Sequence, residues 1–156
     1  MFKKIKPYLI SVLISSAVGG LAAFLTRNSM KIYKEIATPP LSPPSWIFPV
    51  VWSILYILMG ISAAIIYKED SIGETRQKAL ITYAASLIFN FSWSIIFFNF
   101  RAFGVAFIAL LILLFLIIRT IYLYSKINRI AAYLQIPYAL WVAFAGYLNI
   151  GIFILN

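Results

Sequence analysis

Five stretches of this chain, at about 8–26, 45–67, 79–100, 102–124 and 130–155, run almost free of charge. Arg119 is the one interruption, and it lies near the end of the fourth, where a long side chain can reach the interface. As a helix, each stretch is long enough to cross the ~30 Å of bilayer hydrocarbon, which takes ~20 residues. Membrane barrel strands would be ~10 residues long with dyad alternation, a pattern that these stretches do not show. A water-soluble fold is also excluded, because 63% of residues are hydrophobic and 11% charged, against about 25% charged in an ordinary domain. The chain is therefore expected to be all-α. It reads as one domain over 1–156, a polytopic bundle of five transmembrane helices with a long Pro-rich loop at 27–44 and no internal repeat.

Lys3, Lys4 and Lys6 ahead of the first stretch resemble the start of a secretory leader. The apolar run that follows exceeds the 7–15 residues of a leader core, so it is expected to stay as a span. Basic residues then set the orientation. Lys3, Lys4, Lys6, Lys68, Arg76, Lys78, Arg119, Lys126 and Arg129 fall on one side; Arg27, Lys31, Lys34 and Arg101 fall on the other. The richer side is expected to face the cytoplasm, which puts the N-terminus inside and the C-terminus outside a cell membrane crossed several times. A reporter fused in the 68–78 loop should give a cytoplasmic signal and one fused at Asn156 an external signal. A cytoplasmic signal from Asn156 would reverse the assignment. The formal charge of +9 accordingly points to anionic lipid and not to nucleic acid.

With neither cysteine nor histidine, the chain has no disulfides, no His–metal sites, no axial His or Cys haem ligation and no Ser–His or Cys–His triad. No Asp, Glu, Lys or Arg lies deep inside a span, which counts against proton-driven transport and against an acid–base pair within the bilayer. The polar groups left inside are neutral. Ser86, Asn90, Trp93, Ser94 and Phe97 share a helix face by spacings of three and four, as do Trp52, Tyr56 and Met59, and Tyr138, Trp141, Ala145 and Asn149. Each stripe alone could serve helix packing or the interfacial aromatic belt. Converging, they would form a flat aromatic slot with small Ala145 between bulky neighbours and one or two amide hooks, suited to a planar, mostly apolar ligand.

One segment stands out: "PPLSPPSWIFPVVW", from Pro39 to Trp52. Pro39, Pro40, Pro43 and Pro44 cannot continue a helix and hold the chain stiff. Pro49 falls in the first turns of the second span, where its missing N–H is tolerated. The segment is expected either to lie as a rigid lid over the slot or simply to start the second span. On the first span, Ser15, Gly19 and Ala23 recur every four residues, with Ser16 and Gly20 beside them. Such small residues allow close helix approach, to a second copy or to a helix of the same chain.

Three blocks carry a family resemblance: "PPSWIFPVVWSILYILMG" (Pro43–Gly60), "FNFSWSIIFFN" (Phe89–Asn99) and "PYALWVAFAGYLN" (Pro137–Asn149). Over nearly its whole length the chain resembles a bacterial-type member of the translocator protein, or tryptophan-rich sensory protein (TspO/MBR), family. The resemblance implies five helices, usually a homodimer, and a pocket under the first loop. It implies binding of porphyrins such as protoporphyrin IX, of isoquinoline and benzodiazepine ligands, and of cholesterol in some members. No tightly bound cofactor is implied, and porphyrin is ligand or substrate. In bacterial members it further implies light- and oxygen-dependent porphyrin degradation, for which Trp141 and Trp52 are the photochemical candidates. Family pocket positions fall on Trp52, Asn90, Trp93, Trp141 and Ala145, with Pro44, Trp46 and Phe48 at the lid. Tyr56, Ser94, Tyr138 and Leu148 complete the expected lining. The animal sterol motif, Leu then Tyr then a basic residue late in the last helix, is absent: Ile150 and Ile154 follow Leu148, and no basic residue follows. A receptor, a porphyrin-degrading activity, a passive carrier of tetrapyrroles or sterols and a structural partner in a larger complex all stay open.

Overall fold

In the computed structural model, which describes residues 2–29, 31–69 and 73–156, the chain folds into helices, with one long connection between Thr26 and Ile47. The long ones are α1 (Phe2–Thr26), α3 (Ile47–Lys68), α4 (Gly73–Ser94), α5 (Phe103–Ser125) and α6 (Arg129–Leu155). A single turn, α2 (Ile32–Glu35), interrupts the Pro-rich loop, and α4 runs on into a π turn at Ile95–Asn99. The five long helices are each apolar and long enough to span a bilayer. The expected architecture therefore holds: this is an all-α, multi-pass membrane protein. α1 and α4 begin at Phe2 and Gly73, ahead of the uncharged stretches that start at 8 and 79, and α3 starts at Ile47, after the run of four prolines. The 68–78 loop lies partly outside the described residues.

Lipid tails are as apolar as leucine, so helices in a bilayer gain little by burying leucine against one another. Close approach and hydrogen bonds must hold them instead. The interfaces show this. α1 crosses α3 where Gly60 meets Val12: a Cβ on Gly60 would stand 2.5 Å from the Val12 Cα. Beside that crossing, Ser15 donates its hydroxyl proton to the Tyr56 carbonyl at 2.6 Å, and Gly19 lies flat against the Tyr56 ring. Ser15 and Gly19 therefore serve contact within the chain, while Gly20, with open space around it, and Ala23 face outward.

α3 meets α6 deeper in the bundle. There the buried Ser62 hydroxyl donates to the Ala131 carbonyl at 2.8 Å and accepts from the Gln135 amide at 3.3 Å. α4, α5 and α6 are joined through Asn149, which accepts the Trp93 indole N–H at 2.9 Å and donates to the Phe103 carbonyl at 2.8 Å. The α4–α5 turn is tight because Arg101 takes a left-handed conformation, φ 53°, at a cost of roughly 1–2 kcal/mol for a residue with a Cβ. Arg101 reaches Glu35 of α2 at 3.6 Å, an exposed pair that contributes little.

Candidate functional site

The first turns of α3 carry Phe48, Trp52 and Tyr56 at helical spacing of four, so their rings share one face. Pro49 sits in this first turn, where no backbone N–H is needed, and fixes its entry. Across from them, α6 presents Tyr138 and Trp141 and α4 presents Asn90. Trp52 stacks on Tyr56 with centroids 5.6 Å apart and meets Tyr138 edge-on at 6.2 Å. Phe48 meets Trp141 at 5.9 Å. At the base, the buried Asn90 amide accepts from the Tyr56 hydroxyl at 3.0 Å and donates to the Tyr138 hydroxyl at 2.9 Å. One amide thus ties α3, α4 and α6 together. Ser94, one turn further along α4, is half-buried and bonds the Asn90 carbonyl at 3.4 Å.

These rings fill the slot between themselves, so a ring-sized guest would have to displace Trp52 or Phe48, both only half-buried. Ala145, one turn beyond Trp141, and Leu148 are buried on α6. Three predicted members stand apart. Trp93 is buried, but its N–H is committed to Asn149 and its ring to Phe97 at 5.3 Å, a second cluster nearer the α4–α5 turn. Pro44 and Trp46 are exposed, Trp46 by 66%. Trp46 immediately precedes α3, and its side chain points away from the bundle while Phe48 turns inward.

The Pro-rich loop is fastened rather than loose. Tyr33 donates to the Pro43 carbonyl at 2.8 Å, and Tyr147 donates to the Pro40 carbonyl. Ala37 exchanges two hydrogen bonds with the Asn156 side chain, at 3.2 and 2.8 Å. Pro39 is buried close against Gly151. Partial burial pushes the Tyr33 phenol above its ordinary range, so it stays a neutral donor. Its ring packs edge-on against Phe48 at 5.0 Å, and this is the contact through which the loop touches the slot. No apolar period singled out Tyr33, which stands among lysines in a loop. Among the described residues no cluster of metal-ligating side chains occurs.

On the outer side of α3 and α6 a groove of about 390 Å³ opens, lined by Val51, Ile54, Leu55, Leu58, Pro137, Leu140 and Trp141. The Trp141 indole N–H is buried and has no acceptor.

A model of the TspO/MBR family matches residues 11–155. The tryptophan-rich protein TspO of Archaeoglobus fulgidus is 37% identical over 150 residues, 94% of this chain and 94% of its own. The translocator protein of Bos taurus is 35% identical over 141 residues, 88% of this chain and 82% of its own. The tryptophan-rich protein TspO of Chlorobaculum tepidum is 29% identical over 157 residues, 100% of this chain and 99% of its own.

Proposed function

The chain belongs to the TspO/MBR family, and from that premise we propose that it is a membrane receptor for planar, mostly apolar ring systems, porphyrins foremost. Isoquinoline- and benzodiazepine-type compounds are ligands of the same site, and the receptor works as a homodimer in a cell membrane. The observation that carries the reading is the Asn90 amide held between Tyr56 and Tyr138 beneath the rings of Trp52, Phe48 and Trp141. Stacked aromatic walls with a small number of placed polar groups are the usual makeup of a site for a flat ligand. A guest would part Trp52 and Phe48, and Tyr33 on Phe48 would carry that movement to the fastened loop. Basic residues at the helix ends would draw a porphyrin's propionates.

A second reading adds photochemistry to this site: light-dependent breakdown of the bound porphyrin, with the excited ring as sensitiser, dioxygen as oxidant and Trp141 or Trp52 as electron partner. It is favoured by the half-buried Trp141, whose ring contacts Phe48 in the slot. Titration of the purified protein with protoporphyrin IX, followed at the Soret band in the dark and in light, tests both. A saturable Soret shift supports the receptor; its absence overturns it. Trp141→Phe keeps most of the aromatic area, so dark affinity should stay within about tenfold, while light-dependent loss of the band should cease because Phe is far harder to oxidise. Unchanged bleaching would leave Trp141 as a wall of the site and pass the photochemical role to Trp52 or Trp93.

A further inference from the structure

We propose that the turn Pro39–Ser42 is a membrane-inserted tip, which sinks the Leu41 side chain into the leaflet around the C-terminal end of α6. Its partner there is lipid hydrocarbon, not water or a second protein. The proposal stands on the loop alone and is independent of what the slot binds.

Two helices give the depth. Arg129 opens α6 and marks one interface, since a long basic side chain at the end of a span reaches the headgroups. At 1.5 Å per residue, Tyr147 is about 27 Å along the helix from Arg129 and Gly151 about 33 Å. The far edge of a hydrocarbon core ~30 Å thick falls between them. The loop is pinned to both residues. Tyr147 donates to the Pro40 carbonyl, and a Cβ on Gly151 would stand 2.6 Å from the Pro39 ring. α3 agrees: from Lys68 at its end back to Trp46 ahead of its start is also about 33 Å. Leu41 follows Pro40 directly and is 84% exposed. It therefore projects from the bundle at the edge of the hydrocarbon.

The backbone of the loop suits that solvent. Lipid offers no hydrogen bonds, so irregular chain at this depth must satisfy its own polar groups. Pro39, Pro40, Pro43 and Pro44 bring no N–H. All four of their carbonyls have protein donors: the Ser42 hydroxyl on Pro39 at 2.7 Å, the Tyr147 hydroxyl on Pro40, the Tyr33 hydroxyl on Pro43 at 2.8 Å and the Ile47 N–H on Pro44 at 3.1 Å. No charged residue occurs from Ile36 to Tyr67. Leu41 itself stands at φ 71°, a left-handed conformation that favours glycine or asparagine. Facing water, leucine here would be unfavourable twice, through its strained backbone and through its exposed side chain. Facing hydrocarbon, the side chain gains what offsets the strain.

The chain has no cysteine, so a single one can be placed at will. Leu41→Cys, Ile54→Cys and Lys34→Cys would each carry a nitroxide spin label in the full chain, held in phosphatidylcholine vesicles at high lipid-to-protein ratio. Ile54 is an exposed residue of the α3 span, and Lys34 is an exposed charged residue of the same loop. Collision with dioxygen, which concentrates in hydrocarbon, and with a water-soluble nickel chelate would be read by power-saturation electron paramagnetic resonance. The expected result is that Leu41 favours oxygen over nickel, as Ile54 does, while Lys34 favours nickel. A second measurement needs no bulky label. A charged maleimide should modify the bare Leu41→Cys thiol about tenfold or more slowly than Lys34→Cys, because only the thiolate reacts and hydrocarbon suppresses it. Lys34 lies on the same side of the membrane, so the comparison is matched for access. Nickel exceeding oxygen at Leu41, or equal maleimide rates, would place the tip in water and overturn the proposal. Exclusion of both collision agents would also overturn it, by showing a second copy of the chain over Leu41.

Discussion

A single methyl group added at Gly60 is expected to cost about 3 kcal/mol or more, at or beyond the upper end of what overpacking usually costs. The new Cβ would stand 2.5 Å from the Val12 Cα and 2.8 Å from the Val12 nitrogen. Both are backbone atoms of α1, so no rotamer change relieves the clash; the helices must separate. Separation also draws the Ser15 hydroxyl from the Tyr56 carbonyl and Gly19 from the Tyr56 ring. α1 has most of its side chains turned to lipid and packs chiefly on α3, so it has little else to hold it. Gly60→Ala should lower the melting midpoint in mild detergent by about 6–12 °C, at the 2–4 °C per kcal/mol usual for a chain of this size. Gly20→Ala is the control. It meets nothing within 4 Å, and replacing glycine within a helix should leave stability unchanged or raise it by up to about 1 kcal/mol. Equal melting of the two variants would show that the α1–α3 crossing contributes nothing to stability.

Asn90→Leu is the second large effect. A hydrogen bond between membrane helices is worth on average only about 0.6 kcal/mol when both partners are considered together. That figure does not govern here. Leucine removes one group and takes from two others, the buried Tyr56 and Tyr138 hydroxyls, the amide that each is bonded to. A stranded buried group costs about 1–3 kcal/mol, so the single change should cost roughly 2–5 kcal/mol and lower the melting midpoint accordingly. Adding Tyr56→Phe and Tyr138→Phe should restore most of the loss, because replacing every member of a polar set by apolar groups is nearly neutral. A triple variant that melts as low as Asn90→Leu would mean that the amide acts through its shape and not its bonds. Porphyrin binding need not recover with stability in the triple variant, and that difference would isolate the polar hook of the proposed site.

The helices were legible because charge in this chain is confined to their ends. Lys68, Arg101 and Arg129 each stand within a few residues of a helix boundary, and no periodicity had to be invoked. The face shared by Trp52 and Tyr56, and the stripes that carry Asn90 and Tyr138, followed from spacings of three and four. Which helix lies opposite a given face does not follow from spacing, and that is where the reading fell short. Trp93 sits on the same α4 stripe as Asn90, yet it bonds Asn149 in a separate cluster. The π turn at Ile95–Asn99 adds to what spacing could not foresee, since it shifts the register of Phe97 and its neighbours. Trp46 and Phe48 are two residues apart at the start of α3, where that spacing sends one side chain outward and the other in; the exact first residue of the helix decides which. Gly60 carried no signal of its own, and the small-residue stripe of Ser15 and Gly19 left open which helix it meets, because only the partner backbone reveals their use.

The pairing of Ser62 with Gln135 has a consequence for how the chain is made. The two residues are 73 positions apart. At about 5–20 residues per second of synthesis, Ser62 enters the bilayer some four to fifteen seconds before its partner exists. During that interval its hydroxyl can turn back to a carbonyl one turn earlier in its own helix, as serine in membrane helices does, so insertion of α3 need not wait. Arrival of α6 then exchanges a bond within one helix for bonds between two. α4 and α5, neighbours in both sequence and space, can pair as soon as they emerge. α6 thus acts as the closing stave of these helices, and a ribosome that stalls before it would leave the earlier spans inserted but not yet assembled.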